Sequence, residues 1–219
     1  MSISVKICGI NSLEAADAAA RAGVEFAGLV FFAKSPRFLQ LDQARALAAR
    51  LKGGPRIVAL FADADDATIA EAVQAATPDL IQLHGSETPA RVGAIAACFA
   101  RPVIKAIAIA EEADVVRARA FEDAADYLLF DAKAPDAATR PGGHGGAFDW
   151  KILSGSSFKR PWLLAGGLTA ENVGRAIRAS GAHLVDTSSG VEDAPGKKNP
   201  DKIAAFVKAA RNAPYTEAA

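Results

Sequence analysis

The chain has 219 residues, 51% of them hydrophobic and 23% charged, and its 25 basic side chains balance 25 acidic ones. Neutrality removes any electrostatic reason to expect nucleic acid or an anionic membrane as partner. The length suits one domain over residues 1–219 with a large core of its own, and the two cysteines, Cys8 and Cys98, lack both disulfide-framework and metal-ligand spacing.

From the N-terminus, MSISVKICG has no apolar segment of signal-peptide type, and no apolar run reaches membrane-spanning length, so a soluble cytoplasmic protein is expected. Short runs rich in Val, Ile, Leu and Phe then recur. They are ISVKIC (3–8), FAGLVFF (26–32), RIVALF (56–61), LIQLHG (80–85), PVIKAI (102–107), YLLFDA (127–132), WLLAGG (162–167) and HLVDTSS (183–189). Ala-rich stretches of helical periodicity separate most of them, and NPDKIAAFVKAARN (199–212) closes the series. After YLLFDA the interval is mostly loop, with a short helix expected near DWKILSG. Asn11 or Ser12, Asp63 and Thr169 are expected to cap helix starts. Eight strands with regular crossovers predict a single (β/α)8 TIM barrel, an α/β fold. The alternative, a doubly wound open sheet, would break the even rhythm, and no G-x-G-x-x-G follows the first strand.

A closed parallel barrel carries its chemistry at the C-terminal ends of its strands. Cys8 falls at such an end, whereas Cys98 lies in a helical stretch and is expected to pack as a small hydrophobe. Alternate strand residues share a face, so an inward Cys8 makes Lys6 inward as well. The same reasoning predicts inward polar groups at Gln82 and His84, at Lys105, at Asp131, and at Asp186 with Ser188. Buried charges are costly unless paired, so this set points to function, with Lys6 and Lys105 balanced by Asp131 and Asp186. Lys6 with Asp186 taken alone is equally compatible with a plain buried ion pair.

Gly166 and Gly167 end the seventh run, and Ser188, Ser189 and Gly190 end the eighth. Loops at those two strands are the usual phosphate site of this architecture, because glycines let backbone N–H groups approach an anion and hydroxyls add donors. A phosphorylated small molecule is therefore the expected partner. FFAKSPRFL places Lys34 and Arg37 around a proline-stiffened turn after the second strand. It reads either as a solvated basic loop or as a guanidinium positioned to grip a carboxylate. RPGGHGGAFDW, with four glycines in five residues, reads as a lid or as a plain surface loop.

VKICGI, FFAKSPRFL, IQLHGSE, LLFDAKA, GGHGGAFDW, LLAGGL and VDTSSGVE, in this order and spacing, resemble the phosphoribosylanthranilate isomerase family, from the first strand to PGKKNPDKI. The resemblance implies a (β/α)8 barrel working in tryptophan biosynthesis without metal or organic cofactor. It implies conversion of N-(5-phosphoribosyl)anthranilate into 1-(2-carboxyphenylamino)-1-deoxyribulose 5-phosphate by an Amadori rearrangement. Residue by residue, it implies Cys8 as general base, Asp131 as general acid and Arg37 at the anthranilate part. Gly166, Gly167, Ser188, Ser189 and Gly190 then hold phosphate, and Lys6, Gln82 and His84 are carried as substrate-binding residues. Where the family has a small hydroxyl residue in the loop after strand six, this chain has His144, followed by Gly145, Gly146 and Ala147.

The chemistry suits those residue types. A furanose opens when its ring oxygen is protonated, which a carboxyl at Asp131 would do if an apolar mouth and an anionic substrate keep it protonated. The resulting iminium acidifies the proton at C2, which a thiolate removes, and Lys6 or Lys105 near Cys8 is expected to favour that thiolate. Two other readings are the related isomerase of histidine biosynthesis and a non-catalytic phosphate-binding barrel. The first resembles a half-barrel repeat with aspartate at the position of Cys8, and the second has no use for an acid–base pair. Monomer and homodimer are both compatible with the sequence.

Overall fold

The computed structural model describes residues 2–133, 142 and 146–213. Eight parallel strands close into a barrel in chain order: β1 (Ser4–Cys8), β2 (Phe26–Val30), β3 (Arg56–Phe61), β4 (Leu80–Leu83), β5 (Val103–Ile109), β6 (Tyr127–Ala132), β7 (Trp162–Leu164) and β8 (Leu184–Thr187). The barrel shuts where β1 pairs with β8, in a register that sets Lys6 beside Asp186. The crossover helices are α1 (Leu13–Arg21), α2 (Leu41–Leu51), α3 (Asp66–Ala76), α4 (Pro89–Phe99), α5 (Glu112–Ala118) and α6 (Val173–Ser180). After β6 the described helical element is a 3₁₀ turn at Trp150–Leu153, near the expected DWKILSG segment. Beyond β8 come a 3₁₀ turn, Ser189–Val191, and a small antiparallel hairpin of β9 (Glu192–Ala194) and β10 (Lys197–Lys198). Helix α7 (Pro200–Arg211) follows.

The local chemistry of these elements is ordinary. Ser12, Thr88 and Asn199 accept backbone N–H groups at the starts of α1, α4 and α7, and Pro89 and Pro200 occupy first-turn positions that need no N–H donor. Two expected caps are corrected. Asp65, not Asp63, caps α3, while Asp63 sits at φ 52° and accepts the Ser86 N–H. Helix α6 begins at Val173, beyond Thr169, because Asn172 closes the preceding turn with its carboxamide on Thr169 N–H and Gly167 C=O.

Period-two alternation sorts the strand side chains into two cores. Phe26, Val58, Leu80, Ile104, Leu129 and Leu163 fill the barrel interior, while Ile7, Leu29, Phe61, Ile81, Phe130 and Val185 belong to the larger core shared with the helices. The inward phase therefore carries Lys6 and Cys8, as expected. Lys105 departs from expectation: flanked by the inward Ile104 and Ala106, it belongs to the outward phase. There it contacts Glu87 at 2.6 Å, the Gly85 carbonyl at 2.7 Å and the ring of Phe121. Cys98 is also corrected, since it lies exposed on α4.

At the opposite end of the barrel, the residue preceding each of β2, β4 and β6 is acidic. Glu25, Asp79 and Asp126 donate their backbone N–H to Val5, Ile57 and Val103, and their carboxylates accept the N–H of the same three residues at 2.6, 2.7 and 2.8 Å. These reciprocal pairs couple the strands two by two on the face that reads as stability, away from the catalytic rim. Asp126→Ala leaves the Val103 N–H without its carboxylate acceptor, so it is expected to lower unfolding free energy by about 1–3 kcal/mol. Urea denaturation beside steady-state kinetics checks this, with a reduced midpoint and unchanged turnover expected.

Candidate functional site

The strand ends open into a cavity of about 200 Å³ whose lining includes Cys8, Arg37, His84, Asp131, Gly166 and Ser188. Residues from β1 and β6 and from the loops after β2, β4, β7 and β8 thus converge on one space. Lys6, Gln82 and Gly190 stand behind that lining.

Below the cavity, Lys6 is 0% exposed and its Nζ lies 2.9 Å from Asp186 Oδ1. Burial works against the ammonium, but Asp186 and Cys8 outweigh it and hold the Lys6 pKa above its ordinary value. For Cys8 the balance runs the other way. Burial pushes the thiol up and Asp186 adds to that, outweighing the downward pull of Lys6, Lys198 and Arg37. Lys6 does favour the thiolate, as expected, but its pull together with those of Lys198 and Arg37 does not offset the burial of the sulfur. Gly28 on the adjoining strand makes room for the sulfur: a Cβ there would lie 3.1 Å from Cys8 Sγ and 3.4 Å from Lys6 Nζ.

At the end of β6, Asp131 Oδ1 accepts the Ala132 N–H at 2.9 Å, and Oδ2 lies 3.2 Å from His84 Nε2. His84 Nδ1 is in turn 3.1 Å from Gln82 Nε2. With the Gln82 amide so oriented, Nδ1 accepts and the Nε2 proton points at Asp131. Gln82 and His84, both foreseen from strand phase, thus form a two-step support for Asp131, and Gln82 Oε1 is buried with no hydrogen-bond partner among the described residues. Gly142, from the Gly-rich loop after β6, passes directly over them. A Cβ at that position would fall 2.6 Å from Asp131 Oδ2 and 2.8 Å from His84 Nε2. His144 lies outside the described residues.

Arg37 is buried, and its Nε and Nη2 form a bidentate pair with Glu192 at 2.7 and 2.8 Å. Glu192 also accepts from Lys198 Nζ at 2.7 Å. Burial resists ionisation of Glu192, yet Arg37 and Lys198 prevail and lower its pKa. Lys198 is pulled down to about 8, by burial first, with Glu192 opposing that pull. Its ammonium further donates to the Ser188 carbonyl at 2.9 Å and hydroxyl at 3.1 Å, and the Ser188 hydroxyl donates to the Cys8 carbonyl at 2.9 Å. Sequence reasoning missed Glu192 and Lys198. Their signal was the VEDAPGKK segment, where opposite charges flank a Pro-Gly turn and a hairpin brings them together.

Gly166 and Gly167, at φ 87° and 61°, adopt left-handed backbone that glycine alone enters cheaply. A Cβ on Gly166 would also stand 2.8 Å from Ala132 N, so glycine brings the β7 loop against the end of β6. No hydrogen bond among the described residues uses the N–H groups of Gly167 or Ser189, and both residues line the cavity. Gly190 serves the loop itself. A Cβ there would overlap the Leu168 carbonyl, to which Thr187 Oγ1 donates at 2.7 Å. Among the described residues, no three His, Cys, Asp or Glu side chains converge on a metal position, and no helix is long and apolar enough to cross a membrane.

A family profile described as N-(5'phosphoribosyl)anthranilate (PRA) isomerase matches residues 5–209. The N-(5'-phosphoribosyl)anthranilate isomerase of Rhodospirillum rubrum is 51% identical over 215 residues, covering 94% of this chain and 97% of that protein. Phosphoribosyl anthranilate isomerase from Thermotoga maritima superimposes with a TM-score of 0.85 at 35% identity, over 95% of this chain and 98% of that one. A solved phosphoribosyl anthranilate isomerase in complex with reduced 1-(o-carboxyphenylamino)-1-deoxyribulose 5-phosphate gives a TM-score of 0.81 at 32% identity, with the same coverage. With one profile running through nearly every strand and loop described above, and a half-identical relative matched over almost its full length, this chain belongs to the N-(5'-phosphoribosyl)anthranilate isomerase family.

Proposed function

We propose that the protein converts N-(5-phosphoribosyl)anthranilate to 1-(2-carboxyphenylamino)-1-deoxyribulose 5-phosphate by an Amadori rearrangement, the tryptophan-biosynthetic step of its family. In this reading Asp131 is the general acid and Cys8 the general base. The observation that carries it is their placement on one cavity from well-separated strands. Between β1 and β6 lie two strands on one side of the barrel and four on the other, so an acid and a base face a bound sugar from different sides. The N–H groups of Gly167 and Ser189, with the Ser188 hydroxyl nearby, suit the phosphate at the third side of the same space. Arg37 lines the cavity between Cys8 and hairpin β9–β10, which suits the anthranilate carboxylate.

The proton inventory closes on these two groups. Asp131 protonates the ring oxygen as the C1–O bond breaks, and the anthranilate nitrogen lone pair forms the C=N bond of an iminium. The Cys8 thiolate takes the proton from C2, and the electrons of that C–H bond form an enolamine and neutralise the nitrogen. Return of a proton from sulfur to C1, and of the enol proton to Asp131, gives the ketose and restores both groups. Substrate and product are isomers, so no external oxidant or reductant enters. The iminium is a cation formed close to the sulfur, and it favours the thiolate that burial disfavours. His84 and Gln82 hold Asp131 in place and direct an N–H at one of its oxygens.

Cys8→Ala and Asp131→Asn are each expected to lower kcat by about 10²–10⁴. Affinity for the reduced product analogue should change only a few-fold in both, measured by anthranilate-type fluorescence and equilibrium titration. Near-normal turnover in either variant would remove that residue from its role. His84→Ala should reduce kcat in the wild-type background and add little in the Asp131→Asn background, because the two act as one unit. Additive losses would mean that His84 works on the substrate directly. The raised Cys8 pKa also predicts a sign for the pH profile of its alkylation. Alkylation requires the thiolate, so in a Cys98→Ser background the alkylation rate of Cys8 should still be rising as pH passes the ordinary thiol value of 9.0.

A further inference from the structure

We infer that Glu192 and Lys198, side by side on hairpin β9–β10, are positioning residues that aim Arg37 at the carboxylate of the aromatic half of the substrate and keep its charge available there. The inference rests on the reading of Arg37 as the carboxylate contact and goes beyond it by naming what makes that contact work.

A guanidinium offers two edges of paired N–H groups. Glu192 holds the edge formed by Nε and Nη2, with both bonds under 3 Å, and this fixes the plane and direction of the group. The remaining edge includes Nη1, which has no hydrogen bond among the described residues, and Arg37 lines the cavity. The backbone reinforces the placement. A Cβ at Gly9 would fall 2.4 Å from Arg37 Cδ, and one at Gly196 would fall 2.4 Å from the Pro36 carbonyl, so two glycines let the chain close around this side chain. Asn11 adds a bond to the Gly196 carbonyl at 2.7 Å, tying the hairpin to the loop after β1.

Geometry alone would defeat the purpose, because a buried Glu192 facing only Arg37 would cancel its charge. Lys198, 2.7 Å from the same carboxylate, makes the cluster net positive by one charge. All three side chains are buried, so that charge is weakly screened by water and acts at short range on an anion in the cavity. The charged and titratable groups that face Lys198 are Glu192 from β9, Arg37 from the loop after β2 and Cys8 from β1. A hairpin that served only to brace the loops would need packing, and two further buried charges would add nothing to it.

The test compares two ligands that share the sugar phosphate: the reduced product analogue and its counterpart without the ring carboxyl. Their affinity ratio isolates the carboxylate from the phosphate loops that Lys198 also touches. Glu192→Gln and Lys198→Met should each shrink the wild-type ratio by about tenfold or more, the loss expected for a charge-assisted hydrogen bond. Affinity for the ligand without the carboxyl should move little, and Lys198→Arg should preserve the ratio. A measurement that needs no change in the hairpin uses the Cys8→Ala protein, so that the thiol does not titrate. There the ratio should fall as pH rises through about 8 and Lys198 loses its proton. If Arg37→Met leaves the ratio unchanged, the carboxylate reading itself fails and the inference with it. If Arg37→Met abolishes the ratio while the hairpin variants and high pH leave it intact, only the inference is overturned.

Discussion

Lys6 and Asp186 meet where the barrel closes, and the arrangement of the site depends on that meeting. Neither charge is affordable alone in the interior, and their register across β1 and β8 places both on the inward phase, directly beneath Cys8. The pair therefore does two things at once. It commits the first and last strands to one alignment, since a one-residue slip would turn both charges to the other face. It also sets the electrostatics under the sulfur, where burial raises the thiol pKa, Lys6 pulls it down and Asp186 adds to the rise.

Other buried charges are matched locally or held by neutral donors, each with a different consequence. Lys105 and Glu87 lie behind the wall, where Glu87 also accepts the N–H groups of Asp63 and Gly85 and so ties the loop after β3 to the loop after β4. Their role is to shape a rim. Among the described residues no Lys or Arg pairs with Asp131, which is steadied by His84 and a backbone N–H, an arrangement that would suit the general acid proposed above. The cluster of Arg37, Glu192 and Lys198 carries one positive charge in excess, and it lies on the cavity.

Much of this was legible from residue order. Cys8, His84, Asp131, Gly166 and Ser188 fall at strand ends, and strand ends in a parallel barrel point to a common mouth. Lys105 shows where such reasoning fails. Its run, PVIKAI, offers apolar neighbours on both sides, so the pattern contains no alternation from which to read its phase, and only the packing of Ile104 and Ala106 decides it. The three acids before β2, β4 and β6 were equally hidden. Each looks like a solvated charge ahead of a strand until the neighbouring strand presents the N–H that it accepts.

The sequence by itself determined the eight-stranded closed barrel, the strand ends that carry thiol and carboxyl, and the glycine-rich loops. All of these follow from periodicity and turn chemistry within a few neighbouring residues. Only the tertiary structure decided which charge meets which. Lys6 lies 180 residues from Asp186 and Arg37 lies 155 from Glu192. Contacts of that span are set by strand register and loop packing, which no local pattern encodes. The state of Cys8 was decided there too, because a pKa depends on the summed burial and charge around the sulfur rather than on the lysine two residues before it.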